Sequence, residues 1–191
     1  MTSIGRIGFL ADTHSMKADG SDLPDQVLRA FKDVDLIVHL GDIGRKGIID
    51  RLGEVAPVMV PFGGNKGYVP AGASAADKPV KALNAGAQRV GIAFNLAQPD
   101  KKIGVSRDTL TFPDDAPFNK LMARRFGGPV VAAAYGGTHC QAEVTHEGVL
   151  FFNPGSPTLP DDKRGDKDLG SVAVLDVRGR SPKVKLVRLS R

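Results

Sequence analysis

Short apolar runs end in polar residues four times along this chain. Ile7 to Ala11 runs into Asp12-Thr13-His14, and Leu36 to Leu40 runs into Gly41-Asp42. Val58 to Val60 leads through Pro61 to Gly64-Asn65, and Val130 to Ala134 leads to Gly136-Gly137-Thr138-His139. Each run has strand length, and its continuous apolar character predicts a sheet buried on both faces. Between them, Leu23 to Lys32 is predicted to be a helix with the stripe Val27, Leu28 and Phe31. Asp22 is placed to cap that helix and Pro24 to fill its first turn. Ile48 to Leu52 predicts a short second helix closed by Gly53. With strands at Ile4 to Leu10, Leu36 to Leu40 and Pro57 to Val60, the order is β-α-β-α-β, which implies a parallel sheet. Ligand sites of such sheets lie beyond the carboxyl ends of the strands, where the polar residues stand.

The second half predicts more strands. Lys66 to Lys81 is small, Gly-rich and weakly patterned, and predicts a long loop. Gln88 to Leu96 and Val105 to Phe112 predict strands, and Pro117 to Phe126 a helix with Leu121, Met122 and Phe126 inward and Arg124 and Arg125 outward. After the strand Val130 to Ala134, hairpins are expected at Ala142–His146/Val149–Asn153, turning at Glu147-Gly148, and at Ser171–Val177/Lys183–Leu189. No internal repeat or linker divides the chain, so one domain over 1–191 is expected, with an atypical insert or loop region about 66–116.

Composition narrows the class. The chain has 191 residues, 41% hydrophobic and 25% charged, as expected of an ordered globular domain rather than a membrane-spanning one. One cysteine, Cys140, and an N-terminus without a long apolar segment point to the cytoplasm. The net charge of +5 would favour anionic substrates, but taken alone it is read as plain solubility. Six basic residues between Arg178 and Arg191 allow a nucleic-acid footprint or a solvated strand face.

The candidate chemistry starts at Asp12 and His14. Strand alternation would send residues two apart to one face, aiming a carboxylate and an imidazole at one point, where they can hold a metal ion. A helix cap and a buried histidine are the alternative. Asn65 suits either a site or a turn, and Lys66 either a phosphate contact or solvent. Asn95 could offer an oxygen ligand or end a strand in a turn. His39 is expected to be packed and hydrogen-bonded, and Cys140 to be buried. Asn153 to Ser156 is expected to shape a loop lining the site; no neighbouring base equips Ser156 as a nucleophile.

In order, Asp12-Thr13-His14, Gly41-Asp42, Gly64-Asn65, Gly136-Gly137-Thr138-His139 and Asn153-Pro154-Gly155-Ser156 resemble the calcineurin-like metallophosphoesterases, the small bacterial and archaeal phosphodiesterases above all. The resemblance covers residues 4 to 65 and 117 to 189. It implies an α/β fold, a two-sheet β-sandwich flanked by helices. It also implies hydrolysis of a phosphate ester by a water held between two cations about 3.5–4 Å apart. Carried over, the first ion would use Asp12, His14, Asp42 and His139. Asp42 would bridge to a second ion, which Asn65 would bind while orienting the phosphate.

The departures concern that second ion. The family's His-Gly-His stretch corresponds to Ile92-Ala93-Phe94-Asn95-Leu96, and the first histidine of its Gly-His-Thr-His corresponds to Gly137. Of the four histidines, His39 and His146 do not replace them. Lys66 follows Asn65 where the family has His or Cys and then Asp; its ammonium could contact the phosphate or protonate a leaving group.

One formed site and a weakened or absent second are therefore expected, holding manganese, or alternatively iron, zinc or nickel. The expected activity is hydrolysis of a small-molecule phosphate mono- or diester, with Asn65 and Lys66 as catalytic candidates. The alternative is a catalytically impaired scaffold acting through protein contacts, as the vacuolar-sorting subunit of retromer does within the same fold. Oligomeric state is left open.

Overall fold

The computed structural model describes residues 4–61, 81–98, 101–160 and 169–190. Asn65, Lys66 and the expected loop of 66–81, save Lys81 itself, lie outside the described residues.

The N-terminal half forms β1 (Arg6–Leu10), α1 (Asp25–Phe31), β2 (Leu36–His39), α2 (Gly47–Gly53) and β3 (Val58–Met59). Next come β4 (Ala82–Ala85), β5 (Gln88–Ala93), β6 (Gly104–Ser106), β7 (Thr109–Thr111) and α3 (Phe118–Phe126). The chain finishes with β8 (Ala132–Tyr135), β9 (Gln141–His146), β10 (Val149–Pro154), β11 (Ser171–Asp176) and β12 (Lys183–Arg188). One five-stranded sheet runs β12-β11-β1-β2-β3 and another β4-β5-β8-β10-β9, with β6 and β7 as a separate hairpin. The β1–β2–β3 pairs are parallel, as are β5–β8 and β8–β10.

Alternation along the strands explains the apolar runs. Ile7, Phe9, Val38, Val90, Ile92, Ala132, Ala134, Phe152, Ala173 and Leu175 fill the space between the sheets. Their neighbours Leu10, Ile37, Val172 and Val174 face outward and are covered by Val27 and Phe31 of α1 and Ile48 and Leu52 of α2. On the opposite outer face, Ala93, Ala133, Tyr135 and Phe151 are covered by Leu121, Met122 and Phe126 of α3 and by Leu110 of β7. The result is a helix–sheet–sheet–helix sandwich, the fold expected above. Two glycines set how closely the helices approach. A Cβ on Gly8 would stand 2.7 Å from the Phe31 ring, and one on Gly91 2.8 Å from the Phe126 ring.

Several local expectations are corrected. Helix α1 has Pro24 at its N-cap with no side-chain cap bond. Asp22 instead accepts from Ser15 Oγ and from the Met16 N–H, both at 2.7 Å. Gly53 is the last residue of α2 rather than its stop, and Glu54 caps it in right-handed conformation. The single strand expected over Val105 to Phe112 is the hairpin β6–β7, folded at Arg107-Asp108. Strand β4 went unpredicted because Ala82-Leu83-Asn84-Ala85 is short and lacks β-branched residues. The Glu147-Gly148 turn forms as expected, with both residues at positive φ, 43° and 77°.

Candidate metal centre

The site lies where β1, β2 and β8 stop, two neighbours in one sheet and one strand of the other. Beyond β1 and β2, the two chain segments continue side by side. The N–H groups of Asp12, His14 and Ser15 donate to the carbonyls of Gly41, Asp42 and Ile43, each at 2.9 Å. This ladder fixes the Asp12–His14 turn against the Asp42 turn. Beyond β8, the Gly136–Cys140 bend brings His139 in from the second sheet.

Three of the side chains expected to bind metal converge. Asp12, His14 and His139 each offer a ligand atom, all within 4.8 Å of one another. Asp12 Oδ1 lies 3.8 Å from His139 Nε2. Asp42 stands beside the trio, with its Oδ2 3.6 Å from His14 Nε2. Strand alternation is not what aims them, however. Asp12, His14, Asp42 and His139 have φ of 55°, 42°, 52° and 59°, so each sits in the left-handed region. That backbone is uncommon for residues with a Cβ and concentrates at functional sites.

The donor set fits a divalent cation. Asp12 is fully buried, and its Oδ1 has no hydrogen-bond partner among the described residues. Its Oδ2 accepts from the Gly137 N–H at 2.9 Å. A buried carboxylate oxygen 3.8 Å from the His139 imidazole, with His14 in the same cluster, is an uncompensated group that a cation would satisfy. Burial pushes the Asp12 carboxyl up to about 6; the Gly137 N–H and His139 oppose that rise, and the Asp42 charge adds to it. His139 is oriented from behind by a hydrogen bond between its Nδ1 and the Leu159 carbonyl at 3.0 Å.

The supporting residues are polar and buried. His39 is fully buried, as expected. Its Nδ1 accepts from the Gly41 N–H at 3.3 Å, so Nε2 carries the proton that Thr13 Oγ1 receives at 2.8 Å. The Thr13 hydroxyl then donates to the Ile43 carbonyl at 2.8 Å. Burial, with the nearby His14, lowers the His39 imidazole to about 3. Ser156 Oγ donates to the Asp12 carbonyl at 2.7 Å and accepts from the Leu159 N–H at 2.8 Å. Asn153 donates to Thr138 Oγ1 and accepts from the Gly155 N–H. The Asn153–Ser156 loop thus holds the site in shape. Thr13, and Thr158 whose Oγ1 donates to the Thr13 carbonyl at 2.5 Å, were missed by sequence reasoning; Thr13 had only its place between two candidate ligands as a signal.

Other expected residues fall elsewhere. Asn95 is exposed, and its Oδ1 accepts from the Ala97 N–H at 3.0 Å, a turn residue. Cys140 is half-buried rather than buried, because the chain bends there before β9 begins. His146 stacks on Phe112 with ring centroids 4.0 Å apart. Where the family pattern has histidines, the Phe94 ring lies between two turns. Cβ atoms built on Gly41, Gly136 and Gly137 would lie 2.4, 3.5 and 3.6 Å from it. Lys183, Lys185 and Arg188 of the basic C-terminal stretch are exposed along the edge strand β12. No helix among the described residues is long and apolar enough to cross a membrane.

Comparisons with known proteins agree with this geometry. The model of the calcineurin-like phosphoesterase superfamily domain matches residues 6–180. A probable metallophosphoesterase of Methanocaldococcus jannaschii is 32% identical over 155 residues, covering 81% of this chain and 69% of that protein. Another, from Methanothermobacter thermautotrophicus, is 26% identical over 182 residues, covering 95% and 91%. Among solved structures, Entamoeba histolytica Vps29 complexed with zinc shares the fold at a TM-score of 0.62, with 16% identity and coverage of 96% and 98%. A family model that spans nearly the whole chain, with Asp12, His14 and His139 gathered at its strand ends, places this protein in the calcineurin-like phosphoesterase superfamily, a family of divalent-metal-dependent proteins.

Proposed function

We propose that the protein hydrolyses a phosphate ester, with one divalent ion held by Asp12, His14, Asp42 and His139. The observation that carries this reading is the buried, unsatisfied Asp12 Oδ1 facing His139. A bound ion there would supply Lewis-acid polarisation and a water acidic enough to attack near neutral pH. The chain's own residues do the rest. The Gly137 N–H and Ser156 fix Asp12, the Leu159 carbonyl fixes His139, and the Thr13–His39 pair joins the two turns. Mixed carboxylate and imidazole donors suit manganese, with iron, zinc and nickel as alternatives.

One ion rather than two is supported by Phe94 and Gly137. An apolar ring and a residue without a side chain stand where ligands for a second ion would be needed. Asn65 and Lys66 are proposed to contact the phosphate from the segment after Phe62. The test is hydrolysis of bis(p-nitrophenyl) phosphate with added manganese by the wild type and Asp42→Ala. Turnover by the wild type and loss in the variant is expected; equal rates would sink the reading.

A scaffold role is the second reading. It is supported by the same Phe94 and Gly137 and by the fold likeness to Vps29. Absence of both bound metal and turnover would favour it.

A further inference from the structure

A cavity of about 500 Å³ opens at the far end of β9 from the His139 bend, and none of its lining residues belongs to the metal centre. Its walls are residues 112–118, which lead into α3, and His146 and Glu147 at the turn of the β9–β10 hairpin. Three rings from these two segments form one group. Phe112 and His146 stack in parallel, 7° apart with centroids at 4.0 Å, and Phe118 meets them edge-on at 5.7 and 5.1 Å. Phe112 and His146 are half-buried and both line the cavity. Asp114, Asp115 and Glu147 stand exposed around them.

We propose that this cavity binds an organic cation, a guanidinium group above all, through the Phe112–His146 ring pair and the carboxylates of Asp114 and Glu147. An aromatic face attracts a cation, and a flat, weakly hydrated guanidinium stacks on it readily. Carboxylates beside the rings accept hydrogen bonds from the same N–H fork. Lys102 pairs with Asp115 at 3.6 Å, while Asp114 and Glu147 have no cationic partner among the described residues. The start of α3 favours carboxylates nearby, which accounts for Asp114 and Asp115 but not for Glu147, placed by the turn of a separate hairpin. A metal ion is a poor fit. Among the described residues only Asp12, His14 and His139 bring three ligand atoms within 4.8 Å of one another, so the donors of this cavity are too dispersed for one ion and suit a broader cation. The volume lies in the range of small-ligand sites.

Two sources share this chemistry, a free guanidino compound and an arginine side chain of a partner polypeptide. Butylguanidinium is titrated into the ¹⁵N-labelled full-length chain and followed by amide shifts, with butylurea as the uncharged control. Shifts at Phe112, Asp114 and Glu147 are expected with butylguanidinium and not with butylurea. In Asp114→Asn/Glu147→Gln, whose fold is checked by circular dichroism, affinity should fall about fivefold or more, the scale of two exposed ion pairs. Phe112→Leu keeps an apolar side chain without a π face and should weaken binding about threefold. Shifts confined to other residues, equal shifts with butylurea, or equal affinity in either variant would overturn the proposal.

For the source, butylguanidinium is compared with the capped peptide Gly-Arg-Gly. Tighter binding of the peptide assigns the cavity to a partner's arginine, and equal or weaker binding assigns it to a free guanidino compound. The titration needs neither metal nor turnover, so it decides the cavity whether or not the phosphoesterase reading stands.

Discussion

The main-chain N–H of Gly137 donates to Asp12 Oδ2 at 2.9 Å, tying the bend after β8 to the turn after β1. The residue that lacks a ligand side chain still serves the site through its backbone. With Oδ2 committed, Oδ1 is left for His139 and a cation. Gly137 has φ 83°, where a Cβ is strained though space exists, the nearest atom being 3.5 Å away. Gly137→Ala should lower stability by about 1–2 kcal/mol while leaving metal content unchanged. Urea unfolding and elemental analysis check both halves.

On the proposed reading, Phe94 and Gly137 stand where ligands for a second ion would be needed. Phe94→His/Gly137→His places imidazoles at two neighbouring positions, the first of them packed against Gly41. The double variant should take up a second ion that the wild type does not. Metal titration read by elemental analysis after desalting decides this.

Ser156 is fully buried and bridges the Asp12 carbonyl and the Leu159 N–H. Ser156→Ala leaves both backbone groups without that partner, at a cost of about 1–3 kcal/mol. Because Leu159 also orients His139, metal affinity should fall as well. Thermal unfolding and competition with a chelator measure the two effects.

His39 makes stability depend on pH with a definite sign. Its folded-state value is about 3 against 6.5 in the unfolded chain, so the unfolded state binds the extra proton between them. The stabilisation is complete above 6.5 and is lost as pH falls toward 3. Asp12, raised to about 6, acts oppositely between 3.8 and 6. Comparing wild type with His39→Gln isolates the histidine. The difference in unfolding free energy should shrink by about 2 kcal/mol from about pH 8 to pH 5. A difference independent of pH would show that His39 is not held neutral.

The fold was legible because both faces of the central strands are buried. Runs such as Leu36 to Leu40 and Val130 to Ala134 announced the strands, and Leu121, Met122 and Phe126 announced the buried side of α3. What escaped was local. Asp22 serves Ser15 and Met16 instead of a helix cap, and β4 pairs without β-branched residues. The convergence of Asp12, His14 and His139 was anticipated from order and spacing, yet its cause was not. Strand alternation would have aimed Asp12 and His14 from an extended backbone. The structure uses left-handed turns fixed by bonds to Gly41 and Asp42, a long-range arrangement that no local pattern encodes.

The central claim is that one ion at Asp12, His14, Asp42 and His139 supports hydrolysis. Manganese is added stepwise to the chelator-treated, full-length chain while hydrolysis of bis(p-nitrophenyl) phosphate is followed. The rate should rise linearly and level off at one equivalent, and Asp12→Asn should show no rise. A break at two equivalents, or no rate at any manganese concentration, would contradict the account.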